Sequence, residues 1–155
     1  MATTTQYPTF RTARYAKFEG TGSVVLSLAS QTIGTAINDA IQFRRLARGQ
    51  KIVWGYLQTG RGDTSTGLTL SLVVTDGTLT KTIISASTVG QGATGGLAIP
   101  TKQPSTEDAL GFTTPNDNWW IELRATAAAT TPAAFTVKIC VMFDGIYEKE
   151  DGVTQ

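Results

Sequence analysis

The sequence has no histidine and a single cysteine, Cys140. Without histidine, Ser–His and Cys–His nucleophilic sites are excluded. So are zinc sites built on histidines or on several cysteines. One cysteine cannot form an internal disulfide, which suits a protein made in a reducing compartment. Charge is scarce too: Asp, Glu, Lys and Arg make up 16% of the 155 residues, where about 25% is usual. A chain with so little charge is expected to hide part of its surface against partners. No apolar run reaches the roughly 20 residues of a membrane span. The start, "MATTTQYPTF", lacks the basic stretch and apolar run of a signal peptide. The formal net charge is +1, so no nucleic-acid partner is expected.

What is present reads as one all-β domain. "GSVVLSLAS", "AIQFRRL", "KIVWGYLQT", "GLTLSLVVTD", "NWWIELRAT" and "AAFTVKICVMFDG" are short β-rich runs, most of them with the period of 2 that marks half-buried strands. Phe135, Val137, Ile139, Val141 and Phe143 alternate with Thr136, Lys138, Cys140 and Met142. "KIVWGYLQT" is apolar on both sides, as a strand covered on two faces would be. Between the runs lie turn signals such as "RGQ", "TDGT" and "TPNDN". No amphipathic helix is evident, and "TKTIISASTVG" is the one candidate for a helical turn. The expected fold is an antiparallel β-sandwich, jelly-roll-like. Its expected parts are an extended N-terminal arm (1–20), the sandwich (21–147) and an acidic C-terminal tail (148–155). Residues 85–116 read as a long Gly/Thr/Pro-rich loop with a functional role.

Charge is unevenly placed along the chain. Residues 1–61 hold eight Lys/Arg and two acids, whereas residues 62–155 hold five and ten. Such an asymmetry would suit contact between copies, basic side to acidic side. The stretch "RRLARGQKIVWGYL" concentrates part of the basic charge, and it reads as a strand end, a turn and the next strand. Arg44, Arg45 and Arg48 would then form a basic rim, better matched to a negative protein surface than to nucleic acid. The arm mixes aromatic and basic residues: Tyr7, Phe10, Arg11, Arg14, Tyr15 and Phe18. Aromatics at this density call for burial, against the domain or a neighbour. Trp120, Cys140 and Met142 point away from the expected core rows, which makes them candidates for a subunit interface.

Chemistry-bearing motifs are few. Arg61-Gly62-Asp63 matches the tripeptide of integrin-binding loops, but Gly and Asp are also what a turn requires. Glu107, Asp108, Asp117 and Glu122 supply carboxylates from which a glycosidase pair would have to come, and loop or surface acids are the simpler reading. Trp119 and Trp120 are the hooks for a more distant alternative, a carbohydrate-binding module, and the alternation would bury Trp119 and expose Trp120. No phosphate-binding glycine loop opens a helix. No cofactor or metal is expected, and no enzymatic activity.

The order "AINDAIQFRRLARGQKIVWGYLQTG", "GLTLSLVVTDG", "DNWWIELRATAAATTPAAFTVKICVMFDG" resembles small structural proteins of tailed-bacteriophage heads. The segment Leu46 to Ile52 resembles a "L-P-K-G-A-x-I" pattern in that group, with Ala47 where proline is common. The final hairpin resembles theirs, with Phe143 where tyrosine is common. The resemblance covers roughly residues 36–145 and implies a capsid decoration, or cement, protein. Its partner would be the major capsid protein on the outer surface of the virion, and it would be made in the host bacterial cytoplasm. A homo-oligomer, with a trimer favoured, is also implied. A head–tail completion, tail or fibre-base protein is the alternative within the same class.

Overall fold

The computed structural model describes residues 3–5, 21–91, 94–101 and 106–144, with the backbone alone described for 3–5 and 21–31. Among these residues there is no helix, and the strands are β1 (Thr3–Thr5), β2 (Thr21–Gln31), β3 (Ala40–Leu46), β4 (Lys51–Thr59), β5 (Thr69–Thr75), β6 (Thr80–Ser87), β7 (Gly96–Ala98), β8 (Trp119–Ala127) and β9 (Phe135–Asp144). They form a five-stranded sheet in the order β1-β3-β8-β5-β6 and a four-stranded sheet in the order β2-β9-β4-β7. Every pairing is antiparallel except that of β1 with β3, which is parallel.

The alternation in the sequence sets which residues fill the space between the sheets. Trp119, Ile121, Leu123 and Ala125 of β8 are each at most 1% exposed, and Val137, Ile139 and Val141 of β9 match them from the other sheet. Leu70, Leu72 and Val74 of β5, Ile52 and Leu57 of β4, and Phe43 and Leu46 of β3 complete one continuous core. Fully burying a side chain of this size is worth about 1.5–3 kcal/mol. The apolar rows of the two sheets therefore hold the sandwich closed.

Three segments differ from their sequence reading. "TKTIISASTVG", expected to form a helical turn, supplies β6 instead. Its Thr and Ile residues are β-branched and fit a pleated surface. Register shifts against β5 at Leu70/Leu72 and Leu72/Val73 accompany the burial of two successive residues, Ile83 and Ile84. Those bulges hide the period of 2. The expected loop 85–116 contains the end of β6 and a three-residue strand, β7, paired with β4. It also returns to the core: Ala109 is fully buried, and its N–H donates to the Thr82 carbonyl. In β4, only one side faces the core. Ile52 and Leu57 are fully buried, while Trp54 and Tyr56 on the other side are half-buried.

The "RRLARGQKIV" stretch folds as strand, turn, strand, and the turn crosses from one sheet to the other, since β3 and β4 belong to different sheets. Gly49 takes φ of 83° in this turn, a conformation costly for residues with a Cβ.

Candidate interaction surfaces

The sandwich offers two broad outer faces and two ends built of loops. On the outer face of the five-stranded sheet, Trp120 lies opposite Arg45 and Thr75, Glu122 opposite Gln42 and Val73, and Arg124 opposite Ser71. This face is polar and internally satisfied. The Arg124 guanidinium donates through Nε and Nη2 to Glu122 Oε1 at 2.8 and 2.7 Å, and Gln42 Nε2 donates to Oε2 at 3.3 Å. Glu122 is only 3% exposed and Trp120 half-buried, so neither forms an open sugar-stacking platform. Trp119 lies in the core.

The outer face of the four-stranded sheet is different. Directly opposed residues of an antiparallel pair share a face, and here Trp54 opposes Met142, Tyr56 opposes Cys140, and Gln58 opposes both Lys138 and Leu97. The rings of Trp54 and Tyr56 meet edge to face at 5.9 Å. Leu97 is 63% exposed and Ile99, two residues on, 53%. Cys140 is buried beneath its neighbours, which pushes its thiol pKa up despite nearby Lys138. Met142 and Cys140 thus face away from the core as the alternation indicates, but Trp120 lies on the opposite outer face. On one chain these residues therefore lie on two different faces. Sequence reading missed Trp54, Tyr56, Leu97 and Ile99. The first two were masked by apolar neighbours on both sides of β4. Leu97 sits in a strand too short to show a period, and Ile99 lies just beyond it.

The basic rim at one end is largely tied to its own loops. Arg45 Nε donates to the Asp117 carbonyl and its Nη2 to Asn118 Oδ1 at 2.8 Å. The Arg48 N–H donates to Asp117 Oδ1 at 2.6 Å, while its side chain is exposed. Arg44 is half-buried beside the β3 bulge at Gln42/Arg44. Beneath the rim, Thr114 Oγ1 accepts from the Gln50 N–H at 3.0 Å and donates to the Ala47 carbonyl at 2.5 Å. Lys81 and Asp108 pair at 2.8 Å. Of the arm residues, Tyr7, Phe10, Arg11, Arg14, Tyr15 and Phe18 lie outside the described residues. The same holds for the acidic tail (148–155).

At the opposite end, Arg61-Gly62-Asp63 is a structural knot. Asp63 is fully buried. Its carboxylate accepts backbone N–H bonds from Ser65 (2.9 Å), Gly67 (2.9 Å), Leu68 (2.9 Å), Thr130 (3.0 Å) and Thr131 (3.0 Å). Burial alone would raise its pKa, but the N–H groups of Ser65, Thr131, Thr130 and Leu68 outweigh it and hold the carboxyl well below the usual range. A Cβ on Gly62 would sit 2.7 Å from the Phe135 ring, so glycine is required there. The side chain an adhesion receptor would grip is thus inside the protein.

The carboxylates considered for catalysis all serve structure or are enclosed. Glu122 is clamped by Arg124, Asp108 by Lys81 and the Thr82 N–H, and Asp117 by the backbone N–H of Arg48, while Glu107 is buried. Among the described residues, no group of three His, Cys, Asp or Glu is placed to hold a metal ion. No helix among them is long and apolar enough to cross a membrane.

No protein-family model matches the chain, and no curated protein does. Solved structures do. A chain of the capsid asymmetric unit of the cyanophage Pam1 superposes with a TM-score of 0.61 at 28% identity, over 88% of this chain and 97% of that one. A chain of the capsid of Ralstonia phage GP4 superposes with a TM-score of 0.64 at 17% identity, over 94% of this chain and 100% of that one.

Proposed function

We propose that the chain is a structural protein of a phage virion, worn on the outside of the head as a decoration, or cement, protein. The observation that carries this reading is the match to the Pam1 capsid chain over nearly the full length of both chains. The fold shared with the GP4 capsid chain is consistent with it. The strand order supports a jelly roll: apart from the β5–β6 hairpin, every connection from β2 to β9 crosses between sheets. The site chemistry supports a non-enzymatic role, since the candidate catalytic carboxylates are spent on structure.

The mechanism is energetic. A protein that binds across neighbouring capsid subunits recognises only the assembled shell, and so stabilises that state by mass action. If it acts as an oligomer, a trimer above all, several linked contacts raise its residence on the lattice. The major capsid protein is the partner. The N-terminal arm makes the contact, with Phe10, Tyr15 and Phe18 as anchors and Tyr7, Arg11 and Arg14 around them. Exposed Arg48 and half-buried Arg44 extend the basic surface, whereas Arg45 is occupied by its own loop.

Removing residues 1–18 tests this. The deletion takes away β1, a three-residue edge strand, and no described core residue. Purified capsids lacking the protein should bind the full chain in a co-sedimentation assay. The shortened chain should keep its β-type circular dichroism and fail to sediment with them. Undiminished binding by the shortened chain would rule out the arm, and no binding by either would rule out the capsid role.

A further inference from the structure

We propose that the basic turn between β3 and β4 is a docking site for this chain's own acidic tail, residues 148–155. The turn is held rigidly. The Ala47 N–H donates to Gln50 Oε1 at 3.0 Å and the Arg48 N–H to Asp117 Oδ1 at 2.6 Å. The Gly49 N–H donates to the Thr114 carbonyl at 2.8 Å and the Gln50 N–H to Thr114 Oγ1 at 3.0 Å. The backbone is thus fixed residue by residue, yet the Arg48 and Lys51 side chains are exposed. Neither forms an ion pair with a described residue. Asp117 takes the Arg48 backbone N–H and leaves its guanidinium to other anions. Only side-chain freedom remains to be lost when an anion arrives.

Position, charge and spacing select the tail as the occupant. β9 ends at Asp144, whose Cα partner in the sheet is Lys51, so the residues that follow leave the sandwich beside the turn. Cross-strand partners lie about 5 Å apart and three residues span at most about 11 Å, which puts the Arg48 backbone within about 16 Å of Asp144. Glu148, Glu150 and Asp151 follow Asp144 closely in the chain and reach roughly 13–25 Å from it when extended. These three acids against Lys149 give residues 148–155 a net charge of −2, and Arg48 with Lys51 supplies +2. In an extended segment Glu148 and Glu150 share one side, with Lys149 on the other. An exposed ion pair is weak by itself, but the tether holds the tail at an effective concentration in the millimolar range, enough for partial cover. Arg48 also belongs to the surface assigned above to the shell. The tail therefore competes with acids of the shell and lowers capsid affinity by about two- to fivefold. That consequence rests on the capsid reading, whereas the docking itself does not.

The test compares amide NMR spectra of the full chain, a chain ending at Tyr147, and the variant Glu148→Gln/Glu150→Gln/Asp151→Asn. At low salt the resonances of Ala47 to Lys51 should differ between the full and shortened chains, and the triple variant should match the shortened one. The differences should fade as sodium chloride is raised from about 20 mM to about 0.5 M, which shortens the Debye length from roughly 20 Å to roughly 4 Å. The loop around Asp63, at the opposite end, should not change. The triple variant keeps the chain length, so it reads the charges even if truncation disturbs β9. Identical turn resonances in all three proteins overturn the proposal, as does a triple variant that behaves like the full chain. Differences that grow with protein concentration would mean the tail of a second copy, and would overturn it too. Co-sedimentation with capsids then reads the competition. The shortened chain should bind about two- to fivefold tighter, and equal affinities would remove the tail as a competitor. Capsids that retain neither chain would refute the capsid reading, while the docking is still decided by the resonances.

Discussion

Asp63 shows how a residue with a suggestive sequence context is assigned by its surroundings. Five backbone N–H groups from two loops converge on one carboxylate, joining the β4–β5 connection to the β8–β9 connection. An ionised carboxylate offers acceptors alone, about four lone-pair sites on two oxygens that the five donors share. In Asp63→Asn, one oxygen becomes an NH₂ that faces donors, so several buried N–H groups lose their partners. The melting temperature at pH 7 should fall by roughly 10 °C or more. The pH dependence follows from the depressed folded pKa. The unfolded carboxyl, with a pKa of about 3.9, binds its proton first as pH falls. The stability contributed by Asp63 is therefore fully present near neutrality and is lost progressively below about pH 5. Asp76 and Asp108 are also lowered and act in the same direction. Thermal melts between pH 7 and pH 3 should show a shallower acid limb in Asp63→Asn than in the parent. Parallel limbs would mean that Asp63 does not carry the dependence.

At the scale of elements, the β3–β4 connection is held by Thr114 of a distant loop. Its hydroxyl accepts from the Gln50 N–H and donates to the Ala47 carbonyl, and its own backbone N–H reaches the Gln50 carbonyl at 3.0 Å. Thr114 is 1% exposed and Gln50 3%. Thr114→Val keeps the shape but strands a buried donor, at a cost of about 1–3 kcal/mol. Thr114→Ser should recover most of it, as read from denaturant midpoints. This contact was not legible in the sequence, because its members lie 64 positions apart and nothing local marks them as partners. The strands themselves were legible as β-rich runs between turn signals: β3, β4, β8 and β9 have bounds close to their sequence patterns, although in β4 the apolar residues on both sides hid which one faces the core. β6 was obscured by its bulges and β7 by its length. Of the candidate surfaces, the outward direction of Cys140 and Met142 followed from the period of 2. Their separation from Trp120 required the sheet order, which no local pattern encodes.

On the scale of the whole molecule, bases of the first half of the chain lie beside acids of the second at one end of the sandwich. The Asp117 carboxylate accepts from the Arg48 backbone N–H, the Asp117 carbonyl accepts from Arg45, and Asp144 lies opposite Lys51. Contact between copies has two candidate origins, the charge asymmetry of the sequence and the apolar outer face of the four-stranded sheet. The two mechanisms respond differently to salt. Screening shortens the Debye length from about 10 Å at 0.1 M to about 3 Å at 1 M, which weakens exposed charge pairs. Apolar burial is not weakened by screening, and excluded salts such as sulfate strengthen it. Self-association should thus hold or tighten as sodium sulfate is raised, whereas binding through the arginines of the arm and rim should weaken with sodium chloride. Measuring solution mass and capsid co-sedimentation along both salt series separates these contacts. If both interactions dissolve together in sodium chloride, charge drives the contact between copies after all, and the apolar face is not its origin.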